Sequence, residues 1–194
     1  MTTVVINDEA MNAAIGEDLL AIARRNVAHI GFLCDGRGAC PTCQCRVLSG
    51  EQYLSPPNNF EYSWLSGAQI YDGRRLACQV ILQSDGPVSV ITGAEETRRL
   101  FFNVFFPPMS SNRGESLGRL FNNLGWNTLQ YASRFPFNVL NTWPRFVSMP
   151  PYLRGVTQYV ADVQRLIVRM TGNVTRPAPS AEVIQVPIEE EPRS

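Results

Sequence analysis

Apolar and polar positions along the chain change rhythm near residue 95. Up to that point the pattern is short and mostly alternating. Thr2–Ile6 (TTVVI) is a β-rich run, Asn7-Asp8 is a turn signal, and residues 10–15 return as a second strand. Gly16 breaks the alternation. Glu17 and Asp18 then open the segment EDLLAIARRNV, which puts Leu19, Leu20, Ala23 and Val27 on one helical face. Acids at its start and Arg24-Arg25 near its end suit the helix dipole. A loop rich in Gly and Cys covers residues 31–42, and residues 44–48 predict a strand that Ser49-Gly50 ends. Asn58, after Pro56-Pro57, predicts the cap of a short helix through Leu65. Residues 76–82 predict a further strand, Asp85-Gly86-Pro87 a turn, and residues 88–92 a last strand. Residues 1–94 therefore predict a compact α+β unit.

Beyond residue 95 the spacing becomes helical. FFNVFFPP (101–108) is an aromatic run closed by two prolines. Leu117, Leu120, Phe121, Leu124, Ala132 and Phe135 recur at roughly helical intervals, and Pro136, Pro144, Pro150 and Pro151 predict a broken stretch after them. Leu153, Val156, Val160, Val163, Ile167 and Met170 step 3-4-3-4-3, an amphipathic helix. The expected organisation is an α+β domain over residues 1–94, a mostly helical, Pro-interrupted extension over 95–176, and a disordered acidic tail over 177–194.

Charge sharpens that division. The chain has 194 residues and zero net charge, and all 17 of its cationic side chains are Arg. Residues 1–96 hold 11 acids and 6 Arg, residues 97–176 hold 10 Arg against Glu115 and Asp162, and residues 177–194 hold 4 Glu and Arg193. The segments thus carry −5, +8 and −3, and the middle one also holds 13 of the 19 aromatics. The longest uncharged stretch, Leu120–Ser133, has 14 residues, short of the roughly 18–20 a membrane span needs. The N-terminal residues lack the basic and apolar regions of a secretory signal, so a cytoplasmic, reducing compartment is expected. Nucleic acid is not an expected partner: the Arg residues are dispersed among apolar ones, and the front of the chain is acidic.

Four of the five cysteines carry the candidate chemistry. Cys34, Cys40, Cys43 and Cys78 are spaced C-x5-C-x2-C-x34-C. In a reducing compartment such a cluster predicts a metal centre rather than disulfides. Four thiolates suit a [2Fe–2S] cluster, two per iron, and also structural zinc. Gly36 and Gly38 allow the loop amides to turn toward sulfur. Cys45 shares a strand face with Cys43 and Val47 and is expected to be a small buried side chain, not a ligand. His29 is the single histidine, so a Rieske centre is excluded, and it is expected to pack or hydrogen-bond. Arg74-Arg75 are expected to be a solvated pair.

With a five-residue first gap and RRLACQV around the fourth cysteine, residues 1–94 resemble the adrenodoxin-type ferredoxins. The resemblance implies a β-grasp-like fold, a [2Fe–2S] cluster on Cys34, Cys40, Cys43 and Cys78, and one-electron transfer rather than enzymatic turnover. It also implies docking to redox partners through an acidic helix. The corresponding stretch, NNFEYSWLSGAQIYD, carries only Glu61 and Asp72. AHIGFLCDGRGACPTCQCRVLSGEQYLSPP and GRRLACQV, followed by an aromatic extension, also resemble the chlorosome envelope iron–sulfur proteins of green photosynthetic bacteria. That likeness implies a peripheral position on the cytoplasmic side at the chlorosome envelope. The implied partners are redox proteins or quinones, a lipid monolayer and the antenna, whose redox state the protein would help to control. Two other functions are compatible with the residues: a soluble donor to a reductase–oxygenase system, and an assembly protein whose cluster is structural.

Overall fold

The computed structural model describes residues 2–106 and 113–147, together with 160, 164 and 167. Strands β1 (Thr2–Ile6) and β2 (Glu9–Ala13) form an antiparallel hairpin. Its turn residues Asn7 and Asp8 both take positive φ, as a tight hairpin requires. Helix α1 (Leu19–Arg25) follows, capped by the Asp18 side chain on the Ala21 amide. Then come β3 (Gln44–Ser49), α2 (Asn59–Trp64), α3 (Gly67–Tyr71), β4 (Arg74–Leu76) and β5 (Val88–Thr92). The five strands pair in the order β2-β1-β5-β3-β4, with β1 and β5 parallel and the other pairs antiparallel. This mixed sheet with helices is the ferredoxin-like α+β domain that the sequence predicts. Val4, Ile6, Met11, Leu19, Ile22, Phe32, Leu76, Val80 and Val88 fill the core.

One predicted strand differs. Residues 76–82 were expected to be one paired strand, but β4 ends at Leu76 and only Ile81 and Leu82 pair again, as isolated bridges to Asp18 and Leu54. The carbonyls of Ala77 and Val80 instead accept from the Leu20 and Leu19 amides. Those amides open α1 and have no partner within it. The segment caps a helix, and this turns the chain so that Cys78 leaves the sheet plane.

Helix α4 (Gly93–Phe105) starts directly after β5 and spans the expected boundary at residue 94. Thr92 ends the strand and caps the helix, its hydroxyl accepting from the Glu95 amide at 3.2 Å and donating to the His29 carbonyl. Helix α5 (Arg113–Val147) packs on α4 and reaches α2. It continues through Pro136 and Pro144, where the sequence predicts a break. A proline removes one backbone bond and bends a helix, and it need not end one whose other turns are held. Of the amphipathic segment 153–170, only Val160, Gln164 and Ile167 are described; all three are helical and exposed. The expected tail, residues 177–194, lies outside the described residues.

Candidate iron–sulfur centre

The cysteine loop curls around its own sulfurs. Asp35, Gly36 and Gly38 take φ of +53°, +77° and +68°, which turns successive amides inward. The amides of Arg37, Ala39 and Cys40 bond to the Cys34 sulfur, and that of Gly38 bonds to Cys78. Thr42 closes the loop, accepting from the Leu33 amide at 2.9 Å and sitting 3.1 Å from the Cys40 sulfur. Gln79 Nε2 donates to the Cys78 sulfur at 3.4 Å. A Cβ on Gly38 would lie 3.1 Å from that same Nε2, so a side chain there would be strained by its φ and would push on Gln79.

The four sulfurs fall into two pairs. Cys43 and Cys78 are 3.4 Å apart, and Cys34 is hydrogen-bonded to Cys40. Within each pair one thiol is held toward its thiolate by the other. The Cys40 hydrogen bond pulls Cys34 down to about 6 against the effect of burial, and it pushes Cys40 up. Cys78 is lowered and Cys43 raised in the same way. Among the described residues, no three His, Cys, Asp or Glu side chains are placed to hold one metal ion. Two thiolates for each of two irons, with amide donors aimed at sulfur, is what a [2Fe–2S] cluster needs. The residues fit that group.

Support comes from a part of the sequence that looked unremarkable. Asn58 caps α2 and Glu61 returns a bond to the Asn58 amide, a capping box. Glu61 is fully buried, and its carboxylate accepts from Arg75 Nε at 2.8 Å, Arg75 Nη2 at 2.9 Å and the Leu76 amide at 3.0 Å. Arg75 is thus fully buried and paired, not solvated as expected, and Arg74 pairs with Glu96 at 3.4 Å. A guanidinium can sit there because a buried carboxylate neutralises it bidentately. Trp64, one turn on from Glu61, donates from Nε1 to the Gly38 carbonyl at 3.0 Å. Helix α2 therefore holds both the loop and the strand that leads to Cys78. The sequence signal for this was Asn58-x-x-Glu61, the spacing of a capping box.

Cys45 is buried on β3 with its sulfur 3.7 Å from the Arg75 carbonyl. Burial, opposed by Arg75, pushes its thiol up to about 12, so it behaves as the small buried side chain expected. His29 Nδ1 lies 3.4 Å from Glu95 Oε2, the expected hydrogen-bonding role. From the extension, the Tyr131 hydroxyl donates to Gln44 Oε1, beside Cys43. Burial raises Tyr131 to about 12. No periodicity in the sequence marked that contact.

Residues 4–83 match the 2Fe-2S iron-sulfur cluster binding domain. A 2Fe-2S ferredoxin of Rickettsia prowazekii is 37% identical over 89 residues, covering 43% of this chain and 79% of that protein. The chain belongs to the [2Fe–2S] ferredoxins. The likeness reaches beyond the ferredoxin domain. Chlorosome protein J of Chlorobaculum tepidum is 33% identical over 145 residues, 75% of this ferredoxin and 56% of that protein. Chlorosome protein I of the same organism is 37% identical over 99 residues, 51% of this chain and 41% of that one. The chain spans about half the length of these two relatives. The cofactor of this ferredoxin is a [2Fe–2S] cluster, and electron carriage is its family's chemistry.

Proposed function

We propose that this ferredoxin carries one electron at a time on a cluster held by Cys34, Cys40, Cys43 and Cys78, that it is not an enzyme, and that it sits peripherally at the chlorosome envelope. The observation that carries the ligand set is the two-and-two arrangement of those sulfurs under inward-turned amides. When bound, the cluster supplies the capacity for one electron. The protein's part is to set its environment. Amide and Gln79 donors favour the more negative reduced state, and burial of Cys34 and Cys43 opposes it by excluding water. Cys40 and Cys78 are only half-buried and mark the side from which a redox protein or quinone exchanges the electron.

The extension supports the proposed location. Phe101, Phe102 and Phe105 on α4, Phe106 at its C-terminal cap and Phe121 on α5 are exposed, beside a large excess of Arg. No helix among the described residues is long and apolar enough to cross a membrane. Aromatic side chains inserted among headgroups with Arg outward suit a lipid monolayer. Likeness to two chlorosome proteins supports that reading, and redox control of the antenna is its biological content. The soluble-donor alternative loses support from the structure. Of the two acids in the docking stretch, Glu61 is buried and only Asp72 is exposed.

Single Cys→Ser variants, followed by visible absorption and EPR, test the centre. Loss of the cluster in the variants at 34, 40, 43 and 78, with retention at 45, is expected; the reverse at Cys45 would overturn the ligand set. Density-gradient flotation of native material tests the location, which fails should the protein stay in a pigment-free soluble pool.

A further inference from the structure

The extension reaches the cysteine loop indirectly, through two separate supports. At the first, the Tyr131 hydroxyl donates to Gln44 Oε1. Gln44 directly follows Cys43, its side chain is buried, and its amide bonds to the Pro41 carbonyl at 3.1 Å to close the loop. The Cys43 carbonyl accepts from the Ala77 amide at 3.0 Å, one residue before Cys78. A force on Gln44 is therefore felt by both cysteines of one sulfur pair. The Gln44 Nε2 atom is buried and has no hydrogen-bond partner among the described residues. Among the described residues the Tyr131 bond is then the side chain's one hydrogen bond. At the second support, α5 packs on α2, and Arg134 Nη1 reaches the Tyr62 carbonyl at 3.5 Å. Helix α2 carries Trp64, which holds the Gly38 carbonyl in the loop.

From this geometry we infer that α5 is a brace for the cluster loop and that Tyr131, acting through Gln44, is a positioning residue that helps to set the reduction potential. The inference rests on the ferredoxin chemistry above and assigns the extension a redox role besides attachment. A phenol and a buried amide seated against the Cys43 end keep water from that flank. Reduction adds negative charge to the cluster, and water stabilises added charge, so a loosened brace raises the potential. Whatever reseats α5 then also changes how readily the ferredoxin accepts its electron.

Redox titration of the full chain, read by visible absorption and EPR, tests this with Tyr131→Phe, Gln44→Met and both together. Each single variant should load its cluster, titrate at a more positive midpoint than wild type, and show altered EPR g-values. The double variant should shift no further than the larger single shift, because both changes cut the same bond. Thr128→Ala, on the exposed side of α5, should titrate as wild type. If Tyr131→Phe fails to load, Gln44→Met alone carries the measurement. A loaded variant with wild-type midpoint and g-values, or single shifts that add, overturns the brace. A wild-type chain that holds no cluster overturns the ferredoxin reading as well, so the two failures are distinguishable.

Discussion

Glu61 and Arg75 have no contact with solvent, yet each carries a full charge that the other neutralises. Removing one partner from such a pair costs on the order of 3–5 kcal/mol, because the remaining charge is left buried and alone. Glu61→Gln should therefore lower the urea midpoint strongly, and Glu61→Leu with Arg75→Met should recover part of the loss. An unfolding curve for Glu61→Gln that overlays wild type would show that the pair is not what holds α2 to β4. Gly38 makes a second demand at the level of one residue. With φ of +68° and Gln79 Nε2 3.1 Å from where its Cβ would be, Gly38→Ala should yield protein with less iron per chain at equal folding. Iron and sulfide assays set against far-UV circular dichroism decide that. Neither demand could be derived from composition. The glycine was legible as a need of the loop, and the ion pair was hidden because it joins residues 14 apart whose types normally face water.

The first turns of α4 are held by electrostatics that titrate. Burial would raise Glu95, but hydrogen bonds from Arg98 and Arg99 outweigh it and hold its carboxyl down at about 2, below the usual 4.5. A carboxylate depressed on folding stabilises the native state above pH 4.5, and that contribution fades as the pH falls toward 2. The stability advantage of wild type over Glu95→Gln, from urea midpoints across this range, should shrink with acid. An advantage that stays constant would mean that the charge of Glu95 does not matter. Among the elements, β1, β3, β5 and the start of α1 were legible because alternation and an acidic cap dictate them locally. Residues 77–82 were not, because the Ala77 and Val80 carbonyls serve the first turn of α1, more than 50 positions away in the chain. The passage of α5 through two prolines was likewise unreadable, since breaking power depends on what else holds the helix.

Over the whole chain, a zero net charge conceals an acidic ferredoxin domain and a basic, aromatic extension. Arg side chains near an anionic surface contribute on the order of 1 kcal/mol each within a Debye length of roughly 8–10 Å. Exposed Phe side chains add apolar burial at roughly 25 cal/mol per Å². Two such contributions predict a graded response in vesicle flotation of the full protein. High salt should weaken attachment to anionic vesicles without abolishing it, and detergent should release the protein. A folded, monomeric chain that never floats, on anionic or neutral vesicles, removes the lipid-surface proposal. That the four cysteines come together was legible by spacing. The extension's contact with Gln44, next to Cys43, was not, since Tyr131 and Gln44 stand 87 residues apart and share no motif.

Thr92 closes β5 and caps α4 in one residue, so no hinge separates the electron-carrying domain from its arm. A flexible tether would let the cluster tumble above its anchor. Here the direction of α4 is fixed relative to the sheet that carries the cysteines. Reduced protein bound to stacked, aligned membranes should then behave like a crystal in one dimension: its EPR line intensities should rise and fall as the stack is rotated in the field. Because α5 also holds to the domain at Gln44 and on α2, two glycines inserted after Thr92 should weaken that angular dependence without abolishing it, while the solution spectrum stays the same.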